Sequence, residues 1–237
     1  MGVKNGDKVP FRAFRVKPHR NSRYVMRKIL KIVVMAMLLL PVVGVAQSLD
    51  AKWLRAVNTN TTPFLNSYSS VMSTSVPYVS AGLPVIFLTV GYLANDENLV
   101  STGIYSLASL ALSAAFTYEL KYSIGRKRPY DKYPGYIDPR GGRVGDPSFP
   151  SMHTSMAFNT ATALTLQYPK WYVAVPSYLW AGSVAYARMN EGVHYPTDVI
   201  GGALVGAGCA YLTYKLNKWL NRPFNKISKN TLNLIYD

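Results

Sequence analysis

Four apolar segments with almost no charged residues dominate the pattern of the chain after residue 75. They are residues 76–93, 99–120, 171–187 and 199–214. A helix needs about 20 apolar residues to cross a bilayer, within a range of about 17–25, and these segments lie at or near that length. The pattern therefore predicts an all-α protein, a transmembrane bundle of about five to six helices.

A further segment, residues 152–167, is helical by composition but contains many polar side chains. It carries His153, Asn159 and several serine and threonine residues, which are costly to expose to lipid. We expect an inner helix that the other helices shield from lipid. In the last apolar segment, Gly202 and Gly206 form a G-x-x-x-G face that lets two helix backbones approach closely.

The first 46 residues have the pattern of a segment that directs a protein to or across the membrane. Residues 1–25 form a basic N-terminal extension, and residues 26–46 join a basic start to an uncharged stretch that ends with Gly44 and Ala46 before Gln47. This order is typical of a secretory signal peptide, and an uncleaved anchor helix is the alternative. Either interpretation places the chain outside the cytoplasm after residue 46.

The remainder divides into three parts. Residues 47–75 are mixed in polarity and predict a periplasmic or interfacial segment, in which Asp50 to Val57 form a short amphipathic helix. That helix would lie on the membrane surface or pack on the core. Residues 76–220 form the predicted membrane domain, and residues 221–237 form a basic cytoplasmic tail.

Composition narrows the class of protein. The 237-residue chain has 26 Lys and Arg against 11 Asp and Glu, a formal net charge of +15, yet charged residues make up only 16%. Disorder is disfavoured, because disordered chains are rich in charge and poor in apolar residues. The single cysteine, Cys209, excludes an internal disulfide and a cysteine-based zinc site. Such a basic chain indicates a membrane, a nucleic acid or a phosphorylated substrate as partner.

A soluble helical protein with buried core helices is the competing interpretation. Against it, Trp171, Tyr172 and Trp219 lie at segment ends, where an aromatic belt would fall. With residue 47 external, the last apolar segment returns inward, and the basic tail then follows the positive-inside rule. The basic stretch 121–143 is external in this arrangement. Anion binding would explain that exception.

The first candidate motif is KYSIGRKRP, residues 121–129. Gly125 and Pro129 end the helix between them, because a residue before proline avoids the α region. Lys121 therefore closes a helix, and Arg128 lies on the following loop. An arginine offers a planar fork to phosphate oxygens, and a lysine offers a point charge. By itself, the stretch is also an ordinary basic cluster beside a membrane.

The second motif is SFPSMHT, residues 148–154. Ser151 is a suitable N-cap for the following helix. The first backbone N–H groups of such a helix, that of Met152 among them, point at an anion. His153 would lie in the first turn. By itself, this is a capped helix with an incidental histidine.

The third motif is ARMNEGVHYPTD, residues 187–198. Pro196 suits the first turn of the next helix, which places His194 just before that turn and Asp198 inside it. A carboxylate on one ring nitrogen of a histidine fixes the tautomer and raises the nucleophilicity of the other nitrogen. The alternative is an aspartate that serves the helix dipole beside a surface histidine.

Together, the three motifs predict one site. His153 and His194 each lie at a predicted helix start on the same membrane face, whereas the third histidine, His19, belongs to the N-terminal extension. Two histidines, one paired aspartate and a Lys/Arg/Arg set form a phosphoryl-transfer site that needs no metal. The carboxylate cluster expected for Mg²⁺ or Ca²⁺ is missing from the sequence. We therefore predict neither a metal nor a cofactor.

In order and spacing, the motifs resemble those of the type-2 phosphatidic acid phosphatase and vanadium haloperoxidase superfamily. The family pattern is Lys, six residues, Arg-Pro; then Pro-Ser-Gly-His; then Ser-Arg, five residues, His, three residues, Asp. The resemblance covers about residues 76–215 and is to the bacterial membrane lipid-phosphatase branch. Met152 replaces the motif glycine, and Ala187 replaces the motif serine. The first change bears on rate and specificity rather than reaction class, because a backbone N–H remains.

The resemblance implies the fold, a metal-independent phosphatase reaction and the role of each residue. His194 attacks the substrate phosphorus and forms a phosphohistidine, while Asp198 orients it. His153 protonates the leaving oxygen and then activates the water that clears the intermediate. The groups that hold the phosphoryl oxygens are three cations, a hydroxyl and a backbone N–H, namely Lys121, Arg128, Arg188, Ser151 and Met152.

A site at the external membrane face selects a phosphorylated lipid, namely lipid A, undecaprenyl diphosphate, phosphatidylglycerophosphate or phosphatidate. The predicted location is the bacterial inner membrane, with several spans and the site facing the periplasm. A soluble secreted acid phosphatase, a vanadate-dependent haloperoxidase and a non-enzymatic membrane scaffold are the alternatives. Nucleic-acid binding is disfavoured, because the basic residues adjoin membrane segments. The oligomeric state is left open.

Five further basic residues lie within or shortly after the first motif. They would either dock a multiply anionic headgroup or steer any anion towards the site. They are Arg126, Lys127, Lys132, Arg140 and Arg143.

Overall fold

The computed structural model describes residues 47–220, which form seven helices and no β-strand. The helices are α1 (Gln47–Thr59), α2 (Pro63–Leu93), α3 (Glu97–Ile124), α4 (Pro129–Lys132), α5 (Met152–Gln167), α6 (Trp171–Asn190) and α7 (Pro196–Leu220). The predicted all-α class is confirmed for this part of the chain. The predicted basic extension, the predicted signal peptide or anchor, and the predicted basic tail lie outside the described residues.

Three helical stretches among residues 47–220 are long and apolar enough to cross a membrane. They are Pro63–Leu93, Glu97–Lys132 and Pro196–Lys218. Their outer faces carry large exposed apolar side chains such as Ile104 and Leu204, as expected of a surface that meets lipid rather than water. The predicted segment 171–187 forms α6, which is not among the three.

Helix α2 begins well before the predicted start at residue 76. Thr62 is its N-cap, because the Thr62 hydroxyl accepts a hydrogen bond from the Leu65 N–H, and Pro63 occupies the first turn. Hydropathy alone placed the start at the first uncharged run and missed this cap. The boundary drawn after residue 75 therefore falls inside one continuous helix.

Helix α5 is the inner helix that the sequence predicted. It contacts α2, α3, α6 and α7, and Ala157 and Ala161 on it are completely buried. The Asn159 amide donates to the backbone carbonyls of Ser109 and Gly206, at 3.1 and 3.2 Å. Asn159 is thus satisfied by neighbouring helices instead of facing lipid, while the hydroxyls of Thr160 and Thr165 donate to carbonyls of α5 itself.

The G-x-x-x-G face of α7 packs directly on α5. A Cβ atom built on Gly206 would lie 2.0 Å from the Ser155 carbonyl oxygen, and one built on Gly202 would lie 2.5 Å from that of Ser151. Only glycine permits this approach. The contact brings the start of α7, which carries the third motif, to the start of α5, which carries the second.

Helix α1 packs on the end of the bundle that carries the motifs. Leu54 is completely buried and contacts Ile137 and Tyr195, whereas Trp53 is 66% exposed. The Asn58 amide donates to the carbonyls of Asp138 and Asn190. Of the two placements that the sequence left open for this amphipathic helix, the structure shows packing on the core.

Candidate active site

The first motif folds as its sequence predicts. Gly125 ends α3 in the left-handed conformation, with φ 62°, and its N–H donates to the Lys121 carbonyl. Lys121 therefore lies in the last turn of α3. Arg128 lies in extended backbone immediately before α4, which starts at Pro129. Both cationic side chains are buried.

The second motif caps α5. The Ser151 hydroxyl accepts from the Thr154 N–H at 3.5 Å, and the Ser151 N–H donates to the Asp198 carbonyl at 3.0 Å. His153 lies in the first turn of α5, as predicted, where the N–H groups and the helix dipole favour an anion. The start of α5 is thereby tied to the first turn of α7.

The third motif places His194 immediately before α7 and Asp198 in its first turn. Both side chains are buried, and His194 Nδ1 lies 3.5 Å from Asp198 Oδ2. The Asp198 carboxylate also accepts from the Tyr195 N–H at 2.9 Å and from the Ser148 hydroxyl. The ring faces the carboxylate as in an orienting pair, although His194 Nδ1 makes no hydrogen bond at this distance. Such catalytic contacts commonly tighten when substrate binds.

The other ring nitrogen of His194 faces the cations. Its Nε2 atom lies 3.4 Å from Arg128 Nη1. Burial lowers the pKa of His194 well below its ordinary value, and the positive charges of Arg128, Arg188 and Lys121 lower it further. The lowered pKa favours the neutral ring, the state in which an imidazole nitrogen is a nucleophile.

Four of the predicted side chains lie near enough to His194 to influence its pKa. Arg128, Arg188, Lys121 and His153 each act electrostatically on its charge. Ala187, which replaces the motif serine, is completely buried in α6. Met152, which replaces the motif glycine, is the first residue of α5, so its N–H has no acceptor within that helix.

Sequence reasoning missed the acidic partners of the cations. Asp146 bridges two of them, because its Oδ2 lies 2.8 Å from Lys121 Nζ and its Oδ1 lies 2.6 Å from Arg128 Nη2. Glu191 Oε2 lies 2.7 Å from Arg188 Nη1 and also accepts from the Ser73 hydroxyl at 2.8 Å. Glu191 lies inside the third motif, but its pairing with a residue of α2 has no local signal.

Arg126 was predicted to dock a headgroup or steer anions, and this prediction is wrong. Its side chain is buried and paired with two carboxylates. Its Nη1 lies 2.5 Å from Asp198 Oδ1, and its Nη2 lies 2.7 Å from Asp50 Oδ2 on α1. Asp50 also accepts from the Thr197 N–H at 3.1 Å. Arg140 is likewise occupied, since it donates to the Asn190 carbonyl at 2.8 Å. Arg126 thus connects α1 to the carboxylate that faces His194.

Comparison with known proteins identifies the class to which this fold and site belong. A family model described as the PAP2 superfamily matches residues 102–222, which include all three motifs. The chain belongs to the PAP2 superfamily, and the resemblance stated from the motifs is confirmed.

Three relatives carry related names. The lipid A 4'-phosphatase of Bacteroides thetaiotaomicron is 26% identical over 175 residues, which are 70% of this chain and 76% of that protein. The lipid A 1-phosphatase of Rhizobium etli is 33% identical over 116 residues, 47% of this chain and 48% of that protein. The undecaprenyl-diphosphatase of Sulfolobus acidocaldarius is 30% identical over 129 residues, 54% and 60% of the two chains.

Two crystal structures share the fold. Aquifex aeolicus LpxE aligns with a TM-score of 0.57 and 24% identity, covering 69% of this chain and 93% of that one. The transmembrane PAP2-type phosphatidylglycerolphosphate phosphatase of Bacillus subtilis aligns with a TM-score of 0.65 and 21% identity, covering 81% and 96%. These similarities confirm the predicted transmembrane PAP2-like bundle. With three apolar helices as well, the chain is a membrane protein.

Proposed function

We propose that this protein is a membrane phosphatase that hydrolyses the phosphate ester or diphosphate of a lipid through a phosphohistidine. The observation that carries the proposal is the position of His194, with one ring nitrogen 3.5 Å from Asp198 and the other 3.4 Å from Arg128. The relatives are named as lipid A phosphatases and an undecaprenyl-diphosphatase. Those names support a lipid phosphate as substrate.

In the first step, His194 Nε2 attacks the phosphorus. A neutral ring that directs Nδ1–H at Asp198 presents the Nε2 lone pair, and the carboxylate stabilises the positive charge that develops on the ring. As the N–P bond forms, the bond from phosphorus to the lipid oxygen breaks. Burial and the nearby cations, Arg188 foremost, lower the pKa of His153 to about 4, and the negative charge of the arriving phosphate favours the protonated ring. The protonated His153 then gives that oxygen a proton, so the lipid leaves as a neutral alcohol, or as the shorter phosphate when the substrate is a diphosphate.

In the second step, water clears the phosphohistidine. His153, now unprotonated, takes a proton from the water as its oxygen bonds to phosphorus. The P–N bond breaks, inorganic phosphate forms, and His194 returns to its neutral state. In both steps, Lys121, Arg128 and Arg188 neutralise the charge on the equatorial phosphoryl oxygens, and the first-turn N–H groups of α5 add to this.

The site lies at one end of the bundle, where α3 ends and α5 and α7 begin. A lipid held in the membrane beside exposed apolar residues near this end, such as Phe116 on α3 and Ile200 on α7, would present its phosphate at this level. We assign this end to the periplasmic face of the bacterial inner membrane, on the basis of the targeting segment and the positive-inside rule. Lipid A, undecaprenyl diphosphate, phosphatidylglycerophosphate and phosphatidate are the candidate substrates.

We expect the purified protein to release phosphate from at least one of these four lipids, at the same rate with and without EDTA. The reason is that the proposed chemistry uses only histidines and fixed cations. The measurement is phosphate release in detergent micelles. No release from any of the four lipids would refute a lipid phosphatase, and loss of activity in EDTA would refute metal independence.

The same preparation separates the alternatives. Extraction of the protein from membranes by high salt or carbonate would favour a soluble acid phosphatase. Oxidation of halide in the presence of vanadate and peroxide would favour a haloperoxidase. Neither result is expected of a helical bundle with three apolar helices.

Replacing His153 by alanine should slow lipid phosphate hydrolysis by about 10²–10⁴-fold, the usual contribution of a general acid. Hydrolysis of an aryl phosphate should slow much less, because its leaving oxygen departs without needing a proton. The measurement is kcat for both substrates in wild type and His153→Ala. An equal loss with both substrates would contradict the general-acid assignment.

A further inference from the structure

The carboxylate of Asp146 occupies two of the phosphate-binding cations at once. One of its oxygens lies 2.8 Å from Lys121 Nζ, and the other lies 2.6 Å from Arg128 Nη2. A planar pair of oxygens that spans an ammonium and a guanidinium reproduces the contact that two phosphoryl oxygens would make. Carboxylate and phosphate therefore share the same binding groups.

Both cations also have backbone acceptors besides this carboxylate. Lys121 Nζ also donates to the Pro147 carbonyl, and Arg128 Nε donates to the Asp146 carbonyl at 2.9 Å. Arg128 Nη1 donates to the Val193 carbonyl at 3.0 Å. These backbone acceptors remain when the Asp146 side chain rotates away. The charged ends would stay in place for another anion.

Asp146 can leave without opening the bundle. Its side chain is 37% exposed and stands on the loop between α4 and α5. Partial burial raises the pKa of Asp146, but hydrogen bonds and attraction from Lys121 and Arg128 outweigh this and hold the pKa below its ordinary value. The carboxylate is thus charged at neutral pH and would repel a bound phosphate.

Glu191, which pairs with the third cation, Arg188, is much less exposed than Asp146. The Glu191 side chain is only 9% exposed and bonds to the Ser73 hydroxyl as well as to Arg188. Removing it would leave a buried arginine without its carboxylate. Glu191 therefore holds Arg188 in place, whereas Asp146 has both the exposure and the position of an exchangeable anion.

We propose that Asp146 competes with phosphate for Lys121 and Arg128 and thereby weakens the binding of inorganic phosphate, the product of the reaction. This inference rests on the proposed function for the identity of that product. A lipid substrate gains additional binding energy from its apolar part and displaces the carboxylate. Inorganic phosphate has no such part, so the returning carboxylate promotes its release.

The test is equilibrium binding of inorganic phosphate to the full chain in detergent, measured by titration calorimetry. We expect Asp146→Asn and Asp146→Ala to bind phosphate roughly five- to tenfold more tightly than wild type, where tenfold equals about 1.4 kcal/mol. The matched variant is Asp138→Asn, which removes the same charge from an exposed carboxylate, 65% accessible, that pairs with Arg140. Asp138→Asn should bind phosphate as wild type does.

Each outcome decides the matter. Equal or weaker phosphate binding by both Asp146 variants would overturn the proposal and make Asp146 a residue that positions Lys121 and Arg128. Equal tightening by Asp138→Asn would reduce the effect to net charge and also overturn it. Because binding is measured without turnover, a wild type that binds phosphate but hydrolyses no lipid would refute the proposed function and leave the competition result intact.

Discussion

Replacing His194 by alanine is expected to abolish phosphate release, with a loss of about 10⁴-fold or more. The proposed nucleophile is then absent, and when residues act as a unit the loss of one is nearly as costly as the loss of all. Lys121, Arg128 and Arg188 would still bind phosphate in this variant. We therefore expect a binding-competent but inactive protein.

The measurement combines turnover with trapping of the intermediate. Wild type quenched during turnover should carry phosphate that is stable to base and labile to acid, the behaviour of a phosphohistidine, and His194→Ala should carry none. With an aryl phosphate as substrate, His153→Ala should accumulate more phosphohistidine than wild type, because the base that activates water is lost. Substantial turnover by a folded His194→Ala protein would refute the assignment of the nucleophile.

The proposed catalytic side chains were predictable because each lies next to a local signal. Gly125 ends α3 just after Lys121, Ser151 caps α5 beside His153, and Pro196 starts α7 just after His194. Each signal fixes a helix end within a few residues. Three helix ends at one face of a bundle then place their side chains together.

Glu191 lies three residues after Arg188, a spacing that favours an ion pair on a helix. Other contacts of the supporting acids were not predictable, because they join residues that are distant in the chain. Asp50 on α1 contacts Arg126, which is 76 residues away, and Glu191 contacts Ser73, which is 118 residues away. No spacing rule connects such pairs. The same limit explains the error at Arg126, because its sequence position beside Lys127 gives no indication that it points inward to Asp198.

The G-x-x-x-G face carries the second large effect, on stability. We expect Gly206→Ala to lower the free energy of unfolding by about 3 kcal/mol, at the upper end of the usual cost of overpacking, or to prevent assembly. The added Cβ would lie 2.0 Å from the Ser155 carbonyl and 2.9 Å from the Asn159 N–H nitrogen. Both are backbone atoms of α5, so relief requires the helices to separate.

Gly208 on the same helix provides the matched comparison. A Cβ built there has no neighbour within 4 Å, and alanine is favoured over glycine in a helix by up to about 1 kcal/mol. Gly208→Ala should therefore equal or exceed wild type in Tm, measured in detergent, while Gly206→Ala melts at a clearly lower temperature. Any Gly206→Ala protein that folds should also hydrolyse lipid phosphates slowly, because separating α7 from α5 moves His194 away from His153. Equal Tm values for the two variants would show that the close approach of these helices does not hold the site together.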